Sequence, residues 1–178
     1  MAWLLAYPDT YEIGLPNQGL QILYEILNER DDALAERTYA PWHDLESLMR
    51  ANRVPLFSVD THRAAGEFDL LAFNLSAELV YTNLVNMIDL AGVPVRAEER
   101  TAEHPLVVIG GHCAYNPEPL ADIVDLAVLG DGEEVVAEIT EVVHAWKAGG
   151  RSSREDVLRA LAQVPGVYVP SMYDVAYA

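Results

Sequence analysis

The residues Pro105–Asp122 read PLVVIGGHCAYNPEPLAD. A short apolar run, Pro105–Ile109, empties into the glycine pair Gly110-Gly111. The loop behind it is held extended by Asn116-Pro117 and Pro119 before a short helix starts. A strand that exits through glycine toward a helical start is one unit of an alternating α/β chain.

The same alternation extends in both directions. Strands are predicted at Trp3–Tyr7, Arg37–Ala40, Phe68–Phe73 and Leu126–Leu129, with Pro55–Val59 a weaker further candidate. Helices are predicted at Gly19–Arg30, where Leu20, Leu23, Ile26 and Leu27 share a face, and at Leu45–Asn52, Leu79–Ala91, Glu133–Ala148 and Ser153–Gln163. The last opens with a capping-box spacing, Ser152-x-x-Glu155, and stops before Pro165-Gly166. This order predicts a parallel sheet, in which ligands sit outside the carboxyl ends of the strands. The loops Pro8–Asn17, Asn74–Glu78, Gly110–Pro119 and Gly130–Glu133 then share one rim.

Composition narrows the partners. The 178 residues suit one domain, and 51% hydrophobic content is enough to fill one core. With 28 acidic against 11 basic residues and a net charge of −17, a nucleic-acid partner is disfavoured, because that binding needs clustered Lys and Arg. The lone cysteine, Cys113, excludes an internal disulfide and an all-cysteine zinc or iron-sulfur site within this chain, and it suits a reducing cytosol. No apolar run approaches the ~20 residues that span a bilayer, so no membrane partner is expected. The first strand begins close to Met1 and the chain stops in the Tyr-rich GVYVPSMYDVAYA, so both ends read as cuts in a longer polypeptide. The linker-like AGGRSS divides the expected α/β domain, residues 1–148, from a C-terminal helix and connector, residues 149–178.

Each rim loop has a plain explanation beside a functional one. The opening loop, YPDTYEIGLPNQG, carries Asp9-x-Tyr11-x-x-Gly14 where a cobalt-binding loop would carry Asp-x-His-x-x-Gly. A ligating imidazole needs a carboxylate on its other nitrogen. Here a phenol of pKa about 10 stands in its place, a poor donor to cobalt, so no metal ligand is expected from the protein. VDTHRAAG, Asp60–Gly66, imitates the motif with one residue too many and follows no first strand. Gly110-Gly111 is either a tight strand exit or a point where backbone comes close to a bulky ligand. In LGDGEEVVAEI, Asp131 would cap a helix with Glu133 and Glu134 in its first turn. The same acids oppose a phosphate and leave open hydrogen bonds to a neutral hydroxyl or amide. His112 and Cys113 form either a nucleophilic pair or, more simply, a loop residue beside a buried thiol. Nothing else resembles a nucleophile with its base, so the chain by itself shows no catalytic set.

Three segments together, DTYEIG…NQGLQILYEILNER, PLVVIGGHCAYNPEPLAD and LGDGEEVVAEI, resemble the N-terminal cobalamin-binding-like domain of a family of radical S-adenosylmethionine (radical SAM) proteins. PGVYVPSMYDVAY resembles the connector that leads into the radical barrel. The resemblance implies a three-layer, flavodoxin-like (Rossmann-like) parallel sheet of about five strands in the order 2-1-3-4-5, helices on both faces, and a rim that receives a corrin. It implies cobalamin held without a protein histidine ligand to cobalt, with Asp9, Tyr11 and Gly14 shaping one wall and Asn74, Ser76, Gly110, Gly111, His112, Asp131, Gly132 and Glu133 along the others. The family's loop after the third strand usually presents a Ser, where this chain has Asn74-Leu75-Ser76. After the fourth it has Gly-Gly-Pro, where this chain has Gly110-Gly111-His112. The Cys-x-x-x-Cys-x-x-Cys signature of the barrel is absent, so the 4Fe-4S cluster and S-adenosylmethionine are expected only in a downstream radical SAM domain of the same polypeptide. The competing expectation is a cofactor-free docking domain with the same fold. A flavin or nucleotide binder is weaker, because the acidic loop opposes phosphate.

Overall fold

In the computed structural model, which describes residues 1–173, the apolar runs form a single six-stranded sheet. The strands are β1 (Ala2–Tyr7), β2 (Leu34–Tyr39), β3 (Leu70–Asn74), β4 (Leu106–Gly110), β5 (Leu126–Val128) and β6 (Val167–Tyr168), in the spatial order β2-β1-β3-β4-β5-β6. The first five run parallel; β6 pairs antiparallel with β5. This is the expected α/β, Rossmann-like arrangement with one strand added at the edge.

Register explains why the central strands are apolar on both faces until their carboxyl ends. Trp3 lies opposite Leu70, and Leu70 opposite Leu106, forming one row; Leu4, Leu71 and Val107 form the next. Successive side chains alternate between faces, so the first row packs with the helices α2 (Gln18–Asn28), α5 (Gly132–Ala148) and α6 (Arg154–Leu161). The second packs with α3 (His43–Asn52) and α4 (Tyr81–Leu90) through Met49, Leu84, Met87 and Ile88. A sheet covered on both sides needs apolar residues on both. Each fully buried Leu, Ile or Phe contributes about 1.5–3 kcal/mol. Within the sheet-facing stripe of α5, Thr140 is also buried: its hydroxyl donates to the Val136 carbonyl (2.7 Å) and accepts from the Trp3 indole N–H (3.0 Å).

Three local expectations are corrected. β2 covers Leu34–Tyr39 rather than Arg37–Ala40, because its polar residues are compensated: Glu36 is buried and accepts from Thr61 Oγ1 (2.7 Å) and from the Ser58 hydroxyl. Pro55–Val59 is no strand of the sheet. It lies along β2, where the Val59 N–H donates to Arg37 O (2.8 Å) and the Thr38 hydroxyl to Phe57 O (2.9 Å), covering an edge that would otherwise present unpaired backbone. Asp60 belongs to the same cover, pairing with Arg37 at 2.7 Å. The capping box sits one residue later than predicted: Ser153 accepts from the Asp156 N–H, and Asp156 accepts from the Ser153 N–H.

The C-terminal segment supplies α6 and β6, and Val157, Leu158, Leu161 and Val169 join the core on the α2/α5 side. Its last residues, Asp174–Ala178, which complete the expected connector, lie outside the described residues. Tyr168 of β6 donates its hydroxyl to Glu118 Oε1 at 2.6 Å. That bond, reinforced by burial, pushes the phenol up to about 12.

At the amino ends of the strands, Asp125 is enclosed by two arginines. Arg100 Nη1 and Arg154 Nη2 each lie 2.8 Å from Asp125 Oδ2, and the Val107 N–H donates to the same oxygen at 2.7 Å. Arg154 Nε reaches Asp125 Oδ1 at 3.2 Å, and six further guanidinium hydrogens go to the Pro94, Val95, Ile123, Thr101, His104 and Pro105 carbonyls. Burial lowers the Arg100 pKa, and the carboxylate counteracts that.

Removing the carboxylate leaves two buried cations unpaired. Asp125→Ala is therefore expected to lower unfolding free energy by about 3–5 kcal/mol in urea titrations. For Tyr168, a folded pKa above the unfolded value means that its contribution is complete below about pH 10 and is lost as pH rises from there toward 12. Tyr168→Phe is expected to remove that alkaline decline, read from unfolding midpoints across the range.

Candidate functional site

The carboxyl ends of β1, β3, β4 and β5 open onto a crevice of about 450 Å³ on the face that carries α2 and α5. Leu5, Ala72 and Val108 floor it, and Leu23 of α2 and Val136 of α5 stand on its sides. Its lip is polar and glycine-rich: Gly19, Asn74, Gly110, Gly111, His112 and Asp131–Glu133.

Two adjacent glycines have different roles there. Gly111 has φ +93°, and a Cβ would stand 2.8 Å from both Asn74 Oδ1 and the Leu75 carbonyl, so only glycine fits. A Cβ on Gly110 would meet nothing within 4 Å. The first lets the chain turn and the second leaves the crevice wall open. Gly130 adds a second open position, at φ +120°.

Asn74 ends β3 and is held from both sides. Its Nδ2 donates to Asn17 Oδ1 (3.2 Å), the oxygen that also caps α2 by accepting from the Leu20 N–H (2.9 Å). Its Oδ1 accepts from the Ser76 hydroxyl (3.4 Å), which in turn accepts from the Tyr7 hydroxyl (3.2 Å). Across the crevice, Asp131 occupies the N-cap position of α5, yet its side chain makes no capping hydrogen bond. The capping role expected of it is corrected: the backbone enters the helix at that residue, while the carboxylate keeps its acceptor capacity for something else.

The crevice thus gathers Asn74, Gly110, Gly111, His112, Asp131, Gly132 and Glu133 of the predicted site residues. Ser76 stands behind Asn74. Asp9, Tyr11 and Gly14 do not line it. Asp9 closes a local turn by accepting from the Thr10 N–H (2.7 Å), and its carbonyl accepts from the Ala40 N–H (2.9 Å). Tyr11, in the short helix α1 (Tyr11–Gly14), meets Tyr39 edge-on at 5.1 Å. Gly14 is pressed against the same ring, where a Cβ would come within 2.5 Å. The loop's glycine serves aromatic packing beside β2 and not the crevice. Asn17, Gly19 and Leu23 were missed as site residues. The one available signal was NQG before an apolar helical face, which reads as a helix start.

His112 and Cys113 are separated by the chain's direction. His112 is exposed on the crevice, while Cys113 is buried in the core on the α3/α4 side. Burial, then the nearby Glu78 charge, pushes the thiol up, so it is not an activated nucleophile. Among the described residues no group of three or more His, Cys, Asp or Glu side chains could hold a metal, and no helix is long and apolar enough to cross a membrane. A second cavity, about 630 Å³, is bounded by residues 96–100, residues 118–125, α6 and residues 168–173. Its buried charges, Arg100, Asp125 and Arg154, satisfy one another, so the crevice at the strand ends is the better candidate for a site.

Residues 19–170, more than half of the chain, match the family described as "Radical SAM proteins, N-terminal". Two structures of TsrM, a radical S-adenosylmethionine methyltransferase from Kitasatospora setae, share the fold. One has tryptophan substrate and the analogue aza-SAM bound, with TM-score 0.58; the other has cobalamin and a 4Fe-4S cluster bound, with TM-score 0.57. In both, identity is 15% and the match covers 94% of this chain but 28% of the TsrM chain. No curated protein matches at a significant level.

Gly111→Ala is expected to destabilise by about 1–3 kcal/mol, from positive φ and contact with backbone. Gly110→Ala, facing open space, is expected to stay within about 0.5–1 kcal/mol of wild type in the same denaturant titration. Cys113 is expected to resist alkylation at neutral pH until denaturant is added, as followed by intact mass.

Proposed function

The chain belongs to the family of N-terminal domains of radical SAM proteins, and from that premise we propose that it holds cobalamin for a radical SAM domain further along the same polypeptide. The observation that carries this is the open, glycine-lined crevice between α2 and α5, with polar groups gathered at its mouth. Gly110 and Gly130 form a cradle that side chains would fill, and the apolar interior suits a large, mostly apolar ligand fixed by a few hydrogen bonds. The fold shared with a cobalamin-bound TsrM structure agrees with it.

In this proposal Asn74, the Gly110 and Gly111 backbone, His112 and the segment Asp131–Glu133 contact the corrin. Ser76 acts through Asn74. Asp9, Tyr11 and Gly14 hold the neighbouring loop against Tyr39 and contribute no ligand to cobalt. When bound, cobalamin would supply a cobalt centre able to carry a methyl group; this chain's part would be to seat it in the crevice and exclude water from the surface it covers. Residues 1–148 carry the crevice, α6 and β6 complete the same sheet and core, and the barrel that binds the cluster and S-adenosylmethionine belongs to the downstream domain. The single cysteine agrees with a cytoplasmic setting.

A cofactor-free docking domain is the second reading. It is favoured by apolar side chains exposed in the loops after β1 to β4: Ile13, Trp42, Leu79 and Tyr115, with Leu79 91% exposed. Incubating the intact polypeptide with hydroxocobalamin separates the two. Cobalamin holding predicts stoichiometric co-elution of corrin absorbance, lost in Gly110→Leu while the thermal midpoint is kept. An intact, folded protein that retains no corrin sinks it.

A further inference from the structure

Hydrogen-bond direction at the crevice mouth is set by backbone. The Leu20 N–H fixes Asn17 Oδ1 as an acceptor. Asn74 must then turn its amide nitrogen toward Asn17 and its oxygen toward Ser76. Ser76 spends its proton on that oxygen, and Tyr7 donates to Ser76. Gly111 holds the arrangement from the other side, since any Cβ there would strike Asn74 Oδ1. An amide nitrogen carries two hydrogens, and among the described residues only one of those on Asn74, a residue that lines the crevice, has a partner.

The facing lip is of mixed character. The first-turn N–H groups of α5 are donors, while Asp131 and Glu133 beside them accept only, and Glu134 adds a further negative charge to the same turn. A primary carboxamide satisfies all of these at once, its carbonyl accepting from Asn74 or α5 and its NH2 donating to a carboxylate. A carboxylate satisfies the donors alone and is repelled by the acids, within a chain whose net charge is −17.

We infer that the crevice selects a ligand fringed with neutral carboxamides over one fringed with carboxylates, with Asp131 and Glu133 as the discriminating groups and Asn17 as the positioning residue for Asn74. This rests on the corrinoid reading above. Neither Asn17 nor Tyr7 bears a charge or a motif that marks it in the sequence. Their part comes from the hydrogen-bond chain that begins at the α2 cap.

The test compares two probes on the intact polypeptide by corrin absorbance titration: cobinamide, whose ring carries carboxamides, and cobyrinic acid, the same ring with carboxylates. Cobinamide is expected to bind at least about tenfold tighter. Asp131→Asn combined with Glu133→Gln is expected to narrow that ratio to about threefold or less, chiefly by improving the acid. Asn17→Asp, which keeps an acceptor for both Leu20 and Asn74, is expected to retain cobinamide, whereas Asn17→Ala weakens it at an unchanged folded fraction by circular dichroism. Equal affinity of wild type for the two probes, or a ratio unmoved by the double substitution, overturns the inference while leaving corrinoid binding intact. Binding of neither probe overturns the inference, and the corrinoid reading falls with it when hydroxocobalamin is not retained either.

Discussion

A carboxylate removed from water must be matched, and at Asp125 the match organises one end of the molecule. Two guanidiniums and a backbone N–H converge on it, and the spare guanidinium hydrogens reach carbonyls in the loops that precede β4 and β5. Such a cluster costs desolvation that its own attraction roughly repays, so its value lies in geometry more than in net stability. It ties α6 to the parallel sheet through Arg154. Asp69 does similar work two strands away, accepting from the Ala2 N–H (2.8 Å) and holding Lys147 (2.6 Å) and Arg151 (3.0 Å) at the end of α5.

With the amino ends of the strands cross-linked in this way, the carboxyl ends are free to differ. There the chain uses glycine, exposed aromatics and side-chain amides in place of ion pairs. β3 and β4 pair up to Asn74 and Gly110, and past that point Gly111 turns sharply aside. α2 and α5 flank the crevice floor formed by the strands. A slot of this kind depends on what is missing, namely side chains at Gly110 and Gly130, and it persists because the sheet below it is fully packed.

The acidity of the chain acquires a position as well. Several carboxylates are consumed in structural pairs, as at Asp60, Asp69 and Asp125. Asp131 and Glu133 make no such pair among the described residues and sit at the crevice mouth, on the positive end of α5, with Glu134 in the same turn. They offset a helix end that would otherwise attract an anion, which is why a phosphate-led ligand fits this rim less well than a neutral one.

How much was legible follows from which interactions are local. The α/β alternation and the faces of the central strands were readable because burial on both sides demands runs such as LLA and LVVI, and because Gly110-Gly111 must break a strand. The rim loops were readable for the same reason, since parallel strands place their exits together. What sequence alone could not convey were contacts between distant segments. The strand predicted from Arg37 reaches back to Leu34 because Ser58 and Thr61, distant in sequence, come across to meet the buried Glu36. Val167–Tyr168 showed no partner until β5 lay beside it. Asp9-x-Tyr11-x-x-Gly14 resembled a wall of the crevice, but it packs on Tyr39 because the β1 and β2 exits adjoin. Periodicity reports the environment of one element at a time. Which loop faces the slot, and which merely packs beside it, is decided by the strand order 2-1-3-4-5-6 and can be known only once the sheet is assembled.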